Sequence, residues 1–377
     1  MDFCELYKDG NHFIFPIDGD CLNSHDGKVL NGELFFNVSV AAPGDAAIWV
    51  NGVLALWDGE HHNAVVGMGM GKMSLRAEFE DGTPVCRPIT VFRLHNAENG
   101  YRISSDDNIL FLRDIHENRD TYKSIFENAY LAMYKKAHDL YGAKVHLNLF
   151  YETDDLHNFI NRGNYFNLSM MTDKFVSEFR DNSDWLRFSF HALSDYPDKP
   201  YRHASGARIA KDALKVNNEI IRFAGSETLA QVTTVHWGEA NEEGTKALRG
   251  LGYKTLAGYF EHTKSGKPLV AYYYPDKLID HVGARDFWMN MQDDIFHSRI
   301  DLVLNTIKHE KLIQVLEDIK EQPHRASFLE LMIHEQYFHS GYVLYIPEFT
   351  SLVLDAAKWA HDNGYHGVFL DEIMPNA

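Results

Sequence analysis

Four apolar, strand-like runs in this chain end in acids or imidazoles. Ser104-Ser105-Asp106-Asp107-Asn108 closes one, and Phe188-Ser189-Phe190-His191 closes a second, with Asp195 four residues on. Gln231 to His236 is a third, followed by Trp237, and Leu331-Met332-Ile333-His334 is a fourth, followed by Glu335. Carboxylates and imidazoles hold divalent cations and exchange protons with water near neutral pH. Adjacent side chains on an extended segment point opposite ways, so one of Asp106 and Asp107 can ligate a metal while the other acts on a water. The same pair would also suit a solvated Asp-Asp-Asn turn. If the chain enters a helical loop after His191, then His191 and Asp195 share one face and can grip a single cation. Imidazole plus carboxylate suits Zn2+ and related ions; the alternative is a buried, backbone-bonded histidine with a surface aspartate. His236 and His334 each end an apolar run, where a lone histidine is often structural. Glu335 and the wholly apolar strand before it favour a role for His334.

Other chemistries have no matching motif. There is no phosphate-binding GxxxxGK[ST] loop and no GxGxxG after a strand, and Gly67-Met68-Gly69-Met70-Gly71 reads as a loop. No GxSxG nucleophile elbow occurs. The formal net charge of -18 argues against general electrostatic binding of nucleic acid. Composition is that of a folded soluble protein, 45% hydrophobic and 24% charged. The aromatic content of 13% is as consistent with core as with a sugar site. Cys4, Cys21 and Cys86 form no metal knuckle and allow at most one disulfide. The acidic start Met1-Asp2-Phe3-Cys4-Glu5 lacks the features of a leader, and no apolar run is long enough to span a bilayer. The expectation is a cytoplasmic protein without nucleic-acid or membrane partners.

The elements that must position these residues change character near residue 98. At 377 residues the chain has room for roughly two to three domains. Glu33 to Val40, Ala46 to Val50, Val53 to Leu56, Met73 to Glu80 and Thr90 to Leu94 have strand composition. Asn51-Gly52 between two such runs is a hairpin signal, because a type I′ turn needs positive φ at both central residues. Residues 1–97 are therefore expected to form a small all-β, sandwich-like domain, with no helical periodicity before residue 118.

From 98 to 377 strands alternate with helices. Tyr122, Phe126, Ala129, Met133, Ala137 and Leu140 mark one helical face, ending near Gly142. Further helices are expected from Thr172, over 207–223, 242–251, 307–319 and 349–363, and an inserted hairpin arm over 268–274. This α/β pattern predicts a (β/α) barrel of about seven parallel strands, with chemistry at the C-terminal strand ends.

The order of these motifs resembles the polysaccharide deacetylase (NodB-type) family over roughly residues 100 to 372. Ser104-Ser105-Asp106-Asp107-Asn108 is similar to the family's Thr-Phe-Asp-Asp-Gly, which implies Asp106 as catalytic base and Asp107 as metal ligand. His191 to Asp195 has the spacing of His-(Ser/Thr)-x-x-His, with Asp in place of the second His. The implied metal set is thus Asp107, His191 and Asp195. Leu331-Met332-Ile333-His334 is similar to the strand whose terminal His is the general acid. The family's Arg-x-Pro motif is missing, with Val235-His236-Trp237-Gly238 in that stretch, and Asp286-Phe287-Trp288 stands loosely for its Asp/Trp motif. A second register through Leu112-Arg113-Asp114 would put Arg113 at the base position.

The resemblance implies a metal-dependent hydrolase removing an acetyl group, as amide or ester, from a small-molecule or oligosaccharide substrate. The expected cofactor is a divalent metal, Zn2+ first, with Ni2+, Co2+ or Mn2+ as alternatives, and His236 and Trp237 are expected to line the substrate pocket. Two other readings stand beside it: hydrolysis of a non-sugar C–N bond, and a non-catalytic carbohydrate-binding protein.

Overall fold

The computed structural model describes residues 10–161 and 163–375. Among these, every regular element from His12 to Arg93 is a strand, apart from the short turn Ser24–Asp26. Glu33–Ala41 alternates inward and outward, burying Leu34, Phe36, Val38 and Val40, and it pairs antiparallel with His62–Met68. Ile48–Val50 pairs antiparallel with Val53–Trp57 across Asn51 (φ 47) and Gly52 (φ 82), the two positive φ values that a type I′ turn demands. The run expected over Met73 to Glu80 is two strands, Gly71–Leu75 and Ala77–Phe79. Cys21 and Cys86 are free thiols, and Cys4 lies outside the described residues. This region docks through Trp288, whose Nε1 donates to Asp18 O at 3.0 Å, and through ion pairs of Asp26 with Arg285 and Asp20 with His281, both 2.6 Å. No helix among the described residues is long and apolar enough to cross a membrane.

The parallel strands, numbered in chain order, are β1 (Gly100–Asn108), β2 (Val145–Phe150), β3 (Leu186–Ala192), β4 (Val232–Thr233), β5 (Thr255–Gly258), β6 (Ile295–Arg299) and β7 (Phe328–His334). They form two arcs. One runs β3-β2-β1-β7, with the short strand Leu302–Val303 on β7; the other runs β4-β5-β6, with Phe287–Asn290 antiparallel on β6. The arcs are joined by bonds that include Ala230 N to Phe188 O at 2.8 Å on one side and Asp301 N to Glu330 O at 3.0 Å on the other. Outward residues such as Ile103, Leu147, Phe188 and Leu331 pack under the helices.

The inward set is polar. Arg102, Ser104 and Asp106 on β1, His146 and Asn148 on β2, Ser189 and His191 on β3, and Glu330 on β7 are all buried, and alternate positions of a strand share one face. Arg102 forms a bidentate pair with Glu330, Nε to Oε2 at 2.8 Å and Nη2 to Oε1 at 2.7 Å.

Several helices begin later than periodicity predicts, and in one case a side-chain cap chooses the start. Asn128 accepts from Leu131 N and starts Ala129–Tyr141, behind a separate capped turn over Ile125–Glu127. The helix expected from Thr172 spans Val176–Asp181, and that expected over 307–319 spans Leu312–Lys320. The expected arm over 268–274 contributes only Pro268–Leu269 to a hairpin with Glu261–His262. The helix Leu110–Glu117 has no counterpart in the expectation of a helix-free chain before residue 118.

Asp301 gives stability a pH dependence. Burial pushes its carboxyl up to about 7, against the pull of Arg299 and the Glu330 N–H. Unfolded, it would titrate near ~3.9. The unfolded chain loses this proton first as pH rises, so the native advantage is full below ~3.9 and is lost between there and about 7. Asp301→Asn cannot ionise. The melting temperature of the variant minus that of the natural protein should therefore rise between about pH 4 and about pH 8, read by calorimetry at both.

Candidate functional site

At the C-terminal end of β1 the ladder to β2 slips: Ser105 pairs with Leu147, yet Asn108 pairs with Leu149. The additional residue makes a bulge, and Asp107 takes φ 61, a left-handed conformation that Asp tolerates better than most residues. The turn overrides strict alternation, and Asp106 and Asp107 line the same cavity of about 380 Å³. Glu335 holds this turn. Its carboxylate, wholly buried, accepts from the N–H groups of Ile109, Leu110 and Phe111 at 2.7, 2.8 and 2.6 Å, capping the helix that begins at Leu110. Glu335 thus serves the backbone rather than His334.

Asp107, His191 and His236 are buried and offer ligand atoms within 4.8 Å of one another. His191 Nε2 stands 3.1 Å from Asp107 Oδ1, His236 Nδ1 3.0 Å from His191 Nε2, and His236 Nδ1 3.4 Å from Asp107 Oδ1. The partners behind each ring define its tautomer. His191 Nδ1 faces Thr234 O at 2.5 Å, so Nδ1–H donates there and the Nε2 lone pair faces Asp107. His236 Nε2 faces Asp195 O at 3.0 Å and Asp195 Oδ1 at 3.4 Å, so Nε2–H donates backwards and the Nδ1 lone pair faces the cluster. Gln336 Nε2 donates to Asp107 Oδ2 at 2.6 Å, leaving Oδ1 for the cluster.

With both rings neutral, three lone pairs face one region that a cation would fill. Without a cation, the field there favours a second proton on His236. Burial disfavours charge on His236, but hydrogen bonds and charges from Asp107 and Asp195 outweigh it and push its pKa up to about 10. Burial likewise opposes ionisation of Asp107, yet bonds from His191 and His236 hold its carboxyl well below the usual range. Two imidazoles and a carboxylate are a donor set that Zn2+ and related ions accept.

Of the sequence-derived residues Asp107, His191 and Asp195, the structure brings the first two into this cluster and leaves Asp195 out of it. No helical loop follows His191; β3 runs on to Ala192, and Asp195 lies on the far side of the His236 ring. His236, expected only as a pocket residue, stands in the cluster. The expected strand over 231–236 ends at Thr233, and the turn His236–Gly238 swings the imidazole inward, with Trp237 at φ 65. Trp237 lines the cavity and is 45% exposed.

Asp106 and His334 are paired across β1 and β7 and both line the cavity. Asn148 Nδ2 donates to Asp106 Oδ1 at 2.6 Å. Asn305 Oδ1 accepts from both His334 N at 3.1 Å and His334 Nδ1 at 2.9 Å, leaving Nε2 as the ring's second proton site. Asn148, Asn305 and Gln336 were not anticipated. Asn148 had a readable signal, since Val145-His146-Leu147-Asn148-Leu149 alternates strictly; Asn305 and Gln336 had none.

Asp286-Phe287-Trp288 does not reach the cavity: Trp288 anchors the N-terminal region instead. The second register is structural as well, with Arg113 bonded to Asn158 and Asn164 and Asp114 to Tyr122 and Asn128.

No family model matches this chain, and no curated protein matches it. Among solved structures it is similar to a 4-alpha-glucanotransferase from Thermococcus litoralis, at 10% identity and TM-score 0.46 over 73% of this chain and 40% of that one. It is also similar to a CE4 family pseudoenzyme from Bacillus anthracis (11%, TM-score 0.31, 74% and 66%) and to a peptidoglycan N-acetylglucosamine deacetylase (8%, TM-score 0.37, 74% and 90%). The chain thus spans less than half of the glucanotransferase and about two thirds of the pseudoenzyme.

Proposed function

We propose that this chain is a metal-dependent hydrolase that removes an acetyl group, as amide or ester, from a carbohydrate, and that its two parallel arcs form one distorted barrel. The observation that carries the reading is the convergence of one possible ligand atom each from Asp107, His191 and His236, with Asp106 and His334 on adjoining strands beside it. In this reading those three hold the metal, and Asp195 positions His236 from behind, as carboxylates commonly do for metal-bound imidazoles. A divalent cation there supplies Lewis-acid polarisation of an acyl oxygen and a more acidic water. Asp106 takes the proton of the attacking water, its Oδ1 held by Asn148. His334 gives a proton from Nε2 to the departing amine or alkoxide, while Asn305 holds Nδ1. Trp237 offers an exposed aromatic face to a sugar ring, and the described lining contains no lysine or arginine, which favours an uncharged acyl-bearing group.

The test is metal titration followed by turnover. Protein stripped with chelator should bind about one equivalent of Zn2+, Ni2+, Co2+ or Mn2+ by calorimetry. The loaded protein should release acetate from N- or O-acetylated sugar oligomers or a generic acetyl ester. Sugar binding with no acetate release from the loaded protein would favour the non-catalytic reading; release of amine from small non-sugar amides alone would favour the other C–N hydrolase.

A further inference from the structure

A line of buried groups runs from the base of the barrel to Asp106, and each hydrogen bond in it has only one allowed direction. Arg102 can only donate, so His146 Nδ1, 2.6 Å from Arg102 Nη1, must accept. His146 therefore carries its proton on Nε2, which lies 3.0 Å from Ser189 Oγ. Ser189 passes its own hydroxyl proton to Asn148 Oδ1 at 2.6 Å. That bond fixes the Asn148 amide with Nδ2 toward Asp106 Oδ1 at 2.6 Å. Burial, with the charges of Arg102 and Arg187, holds the His146 pKa well below the ordinary histidine value, which agrees with a neutral ring. At the far end Glu330 neutralises Arg102 and also accepts from Ser104 Oγ at 2.8 Å.

We propose that Arg102, His146, Ser189 and Asn148 form a directed positioning relay, whose aligned donors fix Asp106 so that Oδ1 is occupied and Oδ2 is turned to the attacking water. The inference rests on the reading of Asp106 as base. Asn148 lies opposite Ser189 in register, while Arg102–His146 and His146–Ser189 are diagonal neighbours on adjoining strands, since His146 itself lies opposite Ser104 and Arg187, so the pleat brings the line onto one face. A chain of bonds all pointing one way polarises its terminal donor. No member but Asn148 touches Asp106, so the others act through it.

Two measurements test the relay on the metal-loaded, full-length protein. The first is the His146 tautomer by nitrogen-15 NMR, assigned by difference against His146→Gln. The relay requires Nε2–H with a bare Nδ1, unchanged between about pH 6 and about pH 9; an Nδ1–H tautomer or a charged ring overturns it. The second is Ser189→Ala, assayed with the best acetylated substrate. kcat should fall roughly tenfold, about the effect of one hydrogen bond, with KM and bound metal unchanged, and Ser189→Thr should restore it. Full kcat in Ser189→Ala, while Asp106→Asn is inactive, overturns the relay alone. Full kcat in both overturns the relay together with the assignment of Asp106. A loss of metal or a rise in KM matching the fall in kcat would make Ser189 merely structural and also overturn it.

Discussion

Asp107→Asn is expected to abolish metal binding and turnover together, the largest loss from any single substitution here. Asp107 is the only anionic member of the cluster; without it two neutral imidazoles 3.0 Å apart would remain. Outer partners of metal ligands cost about 10- to 100-fold in affinity when removed, so loss of the charged ligand should exceed about 100-fold. Asp195→Asn supplies the comparison. Acting only through His236 Nε2, it should weaken metal binding by about 10- to 100-fold and no more. Calorimetric titration of both variants with Zn2+ decides the matter. If Asp195→Asn loses as much as Asp107→Asn, then Asp195 is a ligand in the working protein, as the motif spacing implies.

Asp106→Asn should do the reverse, keeping the metal and losing the chemistry. Asp106 is not in the converging set, and the isosteric amide can still accept from Asn148 through its oxygen. An amide cannot take a proton from water at neutral pH. Turnover should fall by about two to four orders of magnitude, the usual share of a positioned acid or base. The assay pairs acetate release under substrate saturation with metal content of the same sample. Retained activity would remove Asp106 as base, and loss of metal would move it into the ligand set.

Much of the local structure was legible because its cause is local. Asn51-Gly52 adopts a positive φ at both positions wherever strands flank it, and Gly142 ends its helix at φ 66 because a glycine meets no Cβ penalty there. Phe328–His334 was read to its limits because its apolar residues, interrupted only by Glu330, are bounded by Ser327 and His334. The helix Leu110–Glu117 was missed because its eight residues make only about two turns, too few for a helical period to stand out in the sequence.

Strand ends carrying Asp106, Asp107, His191 and His334 could likewise be read from residue type and alternation, since β strands in parallel folds deliver their C-terminal residues to one rim. Which of those residues meet could not. Asp195 is four residues from His191 and His236 is forty-five, yet the distant one completes the cluster. Spacing along the chain describes only what one helix or strand can juxtapose. The bulge at Asp107, the short β4 and the turn at Trp237 rotate side chains by amounts that depend on pairing between strands far apart in sequence. The sequence by itself therefore determined the types of residue at the rim and the strands that carry them. The tertiary structure alone decided which of these side chains converge and the places of Asn148 beside Asp106 and Asn305 beside His334. Those depend on distances between strands far apart in sequence, and no local rule contains them.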